Sequence, residues 1–61
     1  MDMNGQELLK LLKKNGWQEV RVNGSHHIMR KGDKELSIPV HGSRSVPKGL
    51  LNSILKDAGL K

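Results

Sequence analysis

Three histidines are the side chains of this sequence best suited to proton transfer, and two of them follow a glycine-serine pair, in Gly24-Ser25-His26-His27. An imidazole has an ordinary pKa of about 6.5, so it can take up and release a proton near neutral pH. RNA brings its own nucleophile, the ribose 2′-OH, and its cleavage needs only proton transfer and stabilisation of the phosphate. RNA cleavage is therefore the chemistry that these residues favour.

The same histidines give little support to other kinds of site. His26 and His27 are adjacent, so they point to opposite faces of a strand, and the spacing to His41 matches no usual zinc site. Ser25 has no acidic partner for a catalytic triad. We expect no metal and no cofactor. His41 is either a second proton-transfer group or a simple loop histidine, and His26 could itself be an ordinary exposed strand residue.

Length and charge limit the function further. The chain has 61 residues, 11 Lys plus Arg against 6 Asp plus Glu, and a net charge of +5. We expect one domain, residues 1–61, that works on its surface, and the charge is typical of a polyanion-binding protein. Each basic residue alone could be a solvated surface charge. As a set, the candidates for phosphate contacts are Arg21, Arg30, Lys31, Lys34, Arg44 and Lys48.

The aromatic content disfavours one mode of RNA recognition. The sequence has one tryptophan and neither phenylalanine nor tyrosine, so a platform of aromatic residues for stacking bases is absent. We expect Trp17 to lie in the core. No signal-peptide pattern or membrane-spanning stretch is visible, and cysteine is absent, so the expected compartment is the cytoplasm, without a membrane partner.

Two amphipathic helices are predicted. Asn4 and Glu7 form a capping-box pattern for a helix that ends near Asn15, with Gly16 as its C-terminal cap. A second helix follows Pro47 and ends in a Schellman-type cap at Gly59.

Three strands are predicted between the helices, connected by turns at Asn23-Gly24 and Gly32-Asp33. The second strand runs from about Ser25 to Lys31, and Pro39 suggests that the third lies on an edge. The predicted fold class is α+β, with the order α-β-β-β-α. A three-stranded antiparallel sheet carries both helices on one face.

The turns also predict which residues face each other. An Asn23-Gly24 turn pairs Arg21 with His26, Val20 with His27 and Glu19 with Ile28. The Gly32-Asp33 turn pairs His27 with Ile38, and both hairpins place His27 and Met29 on the apolar face. We therefore expect a partly buried structural His27. We expect His26 to be exposed beside Arg21, which disfavours the protonated imidazole and suits a general base.

The sequence resembles the HicA toxins of bacterial HicA-HicB toxin-antitoxin pairs. The resemblance covers nearly the whole chain and rests on short segments in a fixed order: Asn15-Gly16-Trp17, Gly24-Ser25-His26-His27-Ile28, Ile38-Pro39-Val40-His41-Gly42, Val46-Pro47-Lys48-Gly49-Leu50 and Ile54 through Leu60.

That resemblance implies a double-stranded-RNA-binding-domain-like fold and a metal-independent, ribosome-independent endoribonuclease that cuts mRNA. It implies that the catalytic histidine is the one after Gly-Ser, here His26, with Gly24 and Ser25 supporting the site. In some members this histidine is displaced by one position, which keeps His27 as a second candidate. It also implies a HicB antitoxin that covers the histidine and the basic surface.

Two other functions fit the sequence. One is a non-catalytic RNA-binding module of the same fold, in which His26 and the lysines only contact the RNA backbone. The other is a protein-interaction module whose basic face docks an acidic partner.

Overall fold

Two helices and three strands make up the fold of residues 2–61, the part of the chain that a computed structural model describes. They are α1 (Gly5–Lys14), β1 (Gln18–Asn23), β2 (His26–Lys31), β3 (Lys34–Pro39) and α2 (Lys48–Asp57). The predicted α-β-β-β-α order is confirmed. Met1, the first residue of the predicted domain, lies outside the described residues.

Helix α1 begins and ends as its sequence predicts. The Glu7 backbone N–H donates to Asn4 Oδ1 at 2.8 Å, and the Asn4 N–H donates to Glu7 Oε1 at 3.0 Å, which completes the capping box. At the other end Gly16 has a φ of +93°, and the Trp17 N–H donates to the Leu12 carbonyl at 3.0 Å. This is the Schellman geometry that needs a glycine after the helix.

Helix α2 ends in the same way. Pro47 is the N-cap residue, Gly59 has a φ of +76°, and the Leu60 N–H donates to the Leu55 carbonyl at 2.8 Å. The predicted Schellman ending at Gly59 is confirmed.

The sheet is antiparallel, with the strand order β1-β2-β3. Met29 of β2 and Ile38 of β3 have no exposed surface, and they pack in one cluster with the apolar faces of both helices. His26, Arg30 and Ser37, which alternate with the buried residues, are exposed. The helices therefore cover one face of the sheet, and we call the other its open face. The buried core comprises Leu8, Leu9, Leu12, Trp17, Met29, Ile38, Val46, Leu51, Ile54 and Leu55.

The second hairpin has the predicted register. His27 pairs with Ile38, Ile28 with Ser37, and Lys31 with Lys34, so Gly32 and Asp33 form the two-residue turn. Gly32 has a φ of +60° and no non-glycine residue from 2 to 61 has a positive φ, which is the type II′ pattern.

The predicted register of the first hairpin is wrong by one residue. Asn23 pairs with His26, so the turn residues are Gly24 and Ser25 instead of Asn23 and Gly24. Gly24 has a φ of +62°, whereas Asn23 remains in the strand. A type I′ turn at Asn23-Gly24 would need a positive φ at both residues, whereas a type II′ turn needs it only at its first residue, a glycine. With Gly24 as that first residue, the turn lies one residue later in the chain than predicted.

A β-bulge then changes the pairing of β1 again. Glu19 pairs with Met29 and Arg21 with Ile28, which leaves Val20 as the extra residue. Arg21 therefore faces Ile28 instead of His26, and Glu19 lies on the helix-covered face instead of the open face. Val20 therefore does not occupy its predicted place beside His27 on the apolar face of the sheet, and it is 45% exposed.

Candidate active site

His26 stands at the start of β2, on the open face of the sheet. Its neighbour across the second hairpin is Pro39, and its Nδ1 lies 3.2 Å from Ser37 Oγ. The side chain is exposed, as predicted. No other hydrogen bond to this imidazole is found among residues 2–61, so Nε2 has no hydrogen-bond partner there.

The turn before His26 fixes its place in the sheet. Gly24 and Ser25 are the two turn residues, and the Ser25 carbonyl accepts a hydrogen bond from the Val40 N–H at 2.8 Å. This bond extends the pairing of β2 and β3 by one step past Pro39. The backbone that carries His26 is therefore held on both sides, by β1 and by the end of β3.

His27 has a different environment from its neighbour. Its side chain is 20% exposed, and its Nδ1 lies 2.9 Å from Glu19 Oε2. This hydrogen bond lowers the pKa of the Glu19 carboxyl below its ordinary value; partial desolvation opposes the shift, and the charge of Lys13 on α1 adds to it. The predicted partial burial of His27 is confirmed, and the pair ties it to β1.

A shallow depression of about 330 Å³ lies at the end of the sheet where β3 leads into α2, and it reaches the neighbourhood of His26 through Pro39, the strand partner of His26. Pro39, Pro47 and Leu50 supply much of its apolar wall, and His41 and Arg44 line it as well. His41 is exposed two residues after Pro39, the partner of His26. His26 and His41 thus lie at the same end of the sheet.

The six predicted phosphate-contacting residues do not form one group. Arg21 and Arg30 share the open face with His26 through their pairings with Ile28 and Glu35. Lys31 and Lys34 pair with each other at the far turn, about five residues or roughly 17 Å from His26 along the strand. Arg44 lines the depression and Lys48 begins α2 close to it.

Two of these cations also make hydrogen bonds within the protein. Arg30 Nε donates to the Gly32 carbonyl at 3.2 Å, and Lys31 Nζ donates to the Asn15 carbonyl at 2.9 Å. The latter bond stabilises the C-terminal end of α1, where carbonyls lack helical partners. Lys31 therefore has a structural contact that its sequence position did not reveal.

Comparison with protein families identifies the family of this chain. The family model for the HicA toxin of bacterial toxin-antitoxin systems matches residues 5–60, nearly the whole chain. The chain belongs to the HicA toxin family. It is therefore a toxin of the toxin-antitoxin kind, with a cognate antitoxin as its partner. No curated protein sequence matches it at a significant level.

Sequence reasoning about this HicA toxin missed the contact between Ser37 and His26. The correctly predicted register of the second hairpin already placed Ser37 on the open face, diagonal to His26, and this signal would have found the contact. Glu19 could not be found in the same way, because the bulge at Val20 that turns it toward His27 leaves no clear pattern in the sequence.

Residues 2–61 contain no group of three or more His, Cys, Asp or Glu side chains arranged to bind a metal ion. Within the same range, neither helix has the length and apolar character needed to cross a membrane.

Proposed function

We propose that this toxin is a metal-independent endoribonuclease that cleaves mRNA in the cytoplasm, with His26 as the general acid/base group. The observation that carries the proposal is the environment of His26: an exposed imidazole on the open face, with Nδ1 beside Ser37 Oγ and no hydrogen bond to Nε2 from residues 2–61. An imidazole that is held at one nitrogen and accessible at the other is suited to transferring protons to and from a bound substrate.

The reaction uses the ribose 2′-OH of the RNA as nucleophile. The tautomer that acts as base carries its proton on Nδ1, which then donates to Ser37 Oγ, and its Nε2 lone pair accepts the proton of the 2′-OH. The 2′-oxygen forms a bond to phosphorus while the bond from phosphorus to the 5′-oxygen breaks. A proton donor transfers a proton to the leaving 5′-oxygen. The products are a 2′,3′-cyclic phosphate and a 5′-hydroxyl. No metal or cofactor takes part.

Ser37 is a positioning residue in this scheme. Its hydroxyl holds the orientation of the His26 ring through Nδ1 and does not touch the reacting atoms. The proton donor to the 5′-oxygen is either His26 itself after its first transfer, or His41 at the same end of the sheet. His27 is the second candidate for the catalytic role. Its hydrogen bond to Glu19 on the helix-covered face makes it less suitable than His26.

The basic charge supports an RNA substrate, and membership of the HicA toxin family supports the antitoxin partner. A net charge of +5 favours RNA, and Arg21 and Arg30 on the open face would contact phosphates on either side of the scissile bond. Lys31, Lys34, Arg44 and Lys48 extend this surface toward both ends of the sheet. The antitoxin is HicB-like, and it inhibits the toxin by covering His26 and the basic residues around it.

Cleavage of a long single-stranded RNA in EDTA tests the proposal, with His26→Ala compared with His27→Ala. General acid/base catalysis contributes about 10²–10⁴-fold, so His26→Ala should slow cleavage by that factor while His27→Ala remains active. A 2′-deoxy nucleotide at a mapped cleavage site should block cleavage there. Ser37→Ala should lower the rate, and Ser37→Thr should restore it.

Thermal unfolding of each variant is the control, because a variant that does not fold would lose activity for another reason. Folded His26→Ala protein that cleaves at the native rate would contradict the role of His26. If folded native protein leaves the RNA intact, the proposed endoribonuclease activity is refuted. A non-catalytic RNA-binding module would then be favoured.

A further inference from the structure

We infer that the depression beside His26 is a subsite for one nucleobase of the RNA, that of a nucleotide adjoining the scissile phosphate. This inference rests on the proposed function, because it places the base relative to the residue that acts on the phosphate. The volume of the depression, about 330 Å³, is at the lower end of the range for small-ligand pockets, about 300–1,000 Å³.

The walls of the depression are apolar where a flat base would lie. Pro39 and Pro47 face it with rigid rings, and Leu50 presents a side chain that is 41% exposed although it is large and hydrophobic. A contiguous apolar surface rimmed by polar side chains, here those of His41, Arg44 and Ser45, is typical of a contact site. Val46, which is buried, also lines the depression. A base placed here would cover the exposed part of Leu50.

The polar groups in the depression suit a nucleotide and no cationic ligand. They come from His41, Arg44 and Ser45, and none of the lining residues carries a carboxylate. A guanidinium plane and an imidazole ring both stack on bases, and Arg44 can in addition donate to base oxygens or to phosphate. The subsite thus supplies stacking planes in a chain that has no exposed aromatic platform.

The segment that carries these polar groups is fixed at three places. The Val40 N–H donates to the Ser25 carbonyl, the Arg44 N–H donates to the His41 carbonyl at 3.1 Å, and the Val46 N–H donates to the Met3 carbonyl at 2.7 Å. Gly42, with a φ of +59°, forms the tight turn between His41 and Arg44. The depression is therefore preformed, which lowers the entropic cost of binding a base.

Its position relative to His26 fits an adjoining nucleotide. His26 and Pro39 are directly paired, so their Cβ atoms are about 4.5–5.5 Å apart on the same face of the sheet. A phosphate at His26 consequently brings the base of a neighbouring nucleotide over Pro39 and into the depression. The subsite would contribute to the choice of cleavage site, because bases differ in how well they stack and in what they accept from Arg44.

The test uses the full chain and the four ribonucleoside 3′-monophosphates, with inorganic phosphate as a control ligand, followed by amide chemical-shift changes in NMR titrations. The nucleotides should shift the amides of His41, Arg44 and Leu50, and phosphate alone should leave the Leu50 amide unshifted. Leu50→Glu should weaken nucleotide binding by about fivefold or more, the lower end of what a stacked base contributes.

Val20→Glu is the matched control for Leu50→Glu. It adds the same charge at another exposed apolar residue, on the opposite edge of the sheet, and it should retain native affinity. Glutamate at residue 50 lies in the first turn of α2, where a negative charge stabilises a helix, so the variant should fold. Shifts confined to other residues, equal effects of phosphate and nucleotides, or equal weakening in both variants would each overturn the subsite.

Failure of the base subsite and failure of the proposed nuclease activity give different results. Nucleotide binding at the depression by a toxin that cleaves no RNA would retain the subsite and refute the nuclease. An active nuclease whose cleavage sites and rates are identical in Leu50→Glu and the native chain would refute the subsite alone.

Discussion

Gly5, the first residue of α1, is the position where one added methyl group should disturb both the fold and the candidate site. A Cβ built on Gly5 would lie 2.5 Å from the Pro39 carbonyl oxygen and 2.8 Å from both Cα and Cγ2 of Val40. Two of these three atoms belong to the backbone, so the end of β3 must move away. Overpacking of this kind costs about 1–3 kcal/mol, and Gly5→Ala should destabilise the fold by that amount.

Gly49, in the first turn of α2, provides a matched control, because a Cβ there meets no atom within 4 Å. Gly49→Ala should stabilise the fold by about 0.4–1 kcal/mol, since it restricts the unfolded chain at a position without strain. In a domain of this size each kcal/mol shifts Tm by about 4–8 °C, so the two variants should melt about 6 °C or more apart, on either side of the native protein.

Circular dichroism melts of the three proteins measure this difference directly. A Gly5→Ala variant that melts at or above the native Tm would refute the close approach of α1 to the end of β3. Because Pro39 is both the partner of His26 and a wall of the depression, Gly5→Ala should also alter RNA cleavage, whereas Gly49→Ala should not.

Two further predictions concern side chains of the sheet. Met29→Ala should lower the free energy of unfolding by about 2–5 kcal/mol because Met29 is fully buried, whereas Val22→Ala, at a residue that is 52% exposed, should change it by about 0.5 kcal/mol or less; equal effects in urea unfolding would contradict the observed burial of Met29. The Glu19 pKa is lowered in the folded state, so the contribution of Glu19 is complete above its ordinary value of 4.5 and is lost as the pH falls through the lowered value. The stability difference between the native protein and Glu19→Gln should therefore disappear in acid, and a difference that persists there would refute the stabilising hydrogen bond between Glu19 and His27.

Most of the fold could be predicted because the strongest signals are local. The capping box at Asn4 and Glu7, the glycine caps at Gly16 and Gly59, and the type II′ turn at Gly32 each depend on a few adjacent residues. Such patterns specify where an element starts or stops whatever it packs against. The face of β2 followed from the second turn alone, since one register determines the side of every residue in the strand.

The first hairpin shows where local reasoning fails. Asn23-Gly24 suits a type I′ turn and Gly24-Ser25 suits a type II′ turn, and the sequence does not choose between them. The bulge at Val20 is also invisible in an alternating segment such as Glu19 to Val22. Both errors affect the same strand, and they account for the wrong pairing of Arg21 with His26. Neither error affects the contact between His26 and Ser37, because that contact depends only on the second hairpin.

The bulge has a physical reason that also separates the two histidines. His27 is partly buried, and a polar nitrogen there costs free energy unless it is hydrogen-bonded. Without the bulge, the observed turn would pair Val20 with Met29 and would place Glu19 on the open face. Exposing Val20 instead brings the Glu19 carboxylate to 2.9 Å from the His27 nitrogen. His27 is therefore engaged in holding β1 to β2, which leaves His26, with its accessible Nε2, as the histidine of this pair available for chemistry.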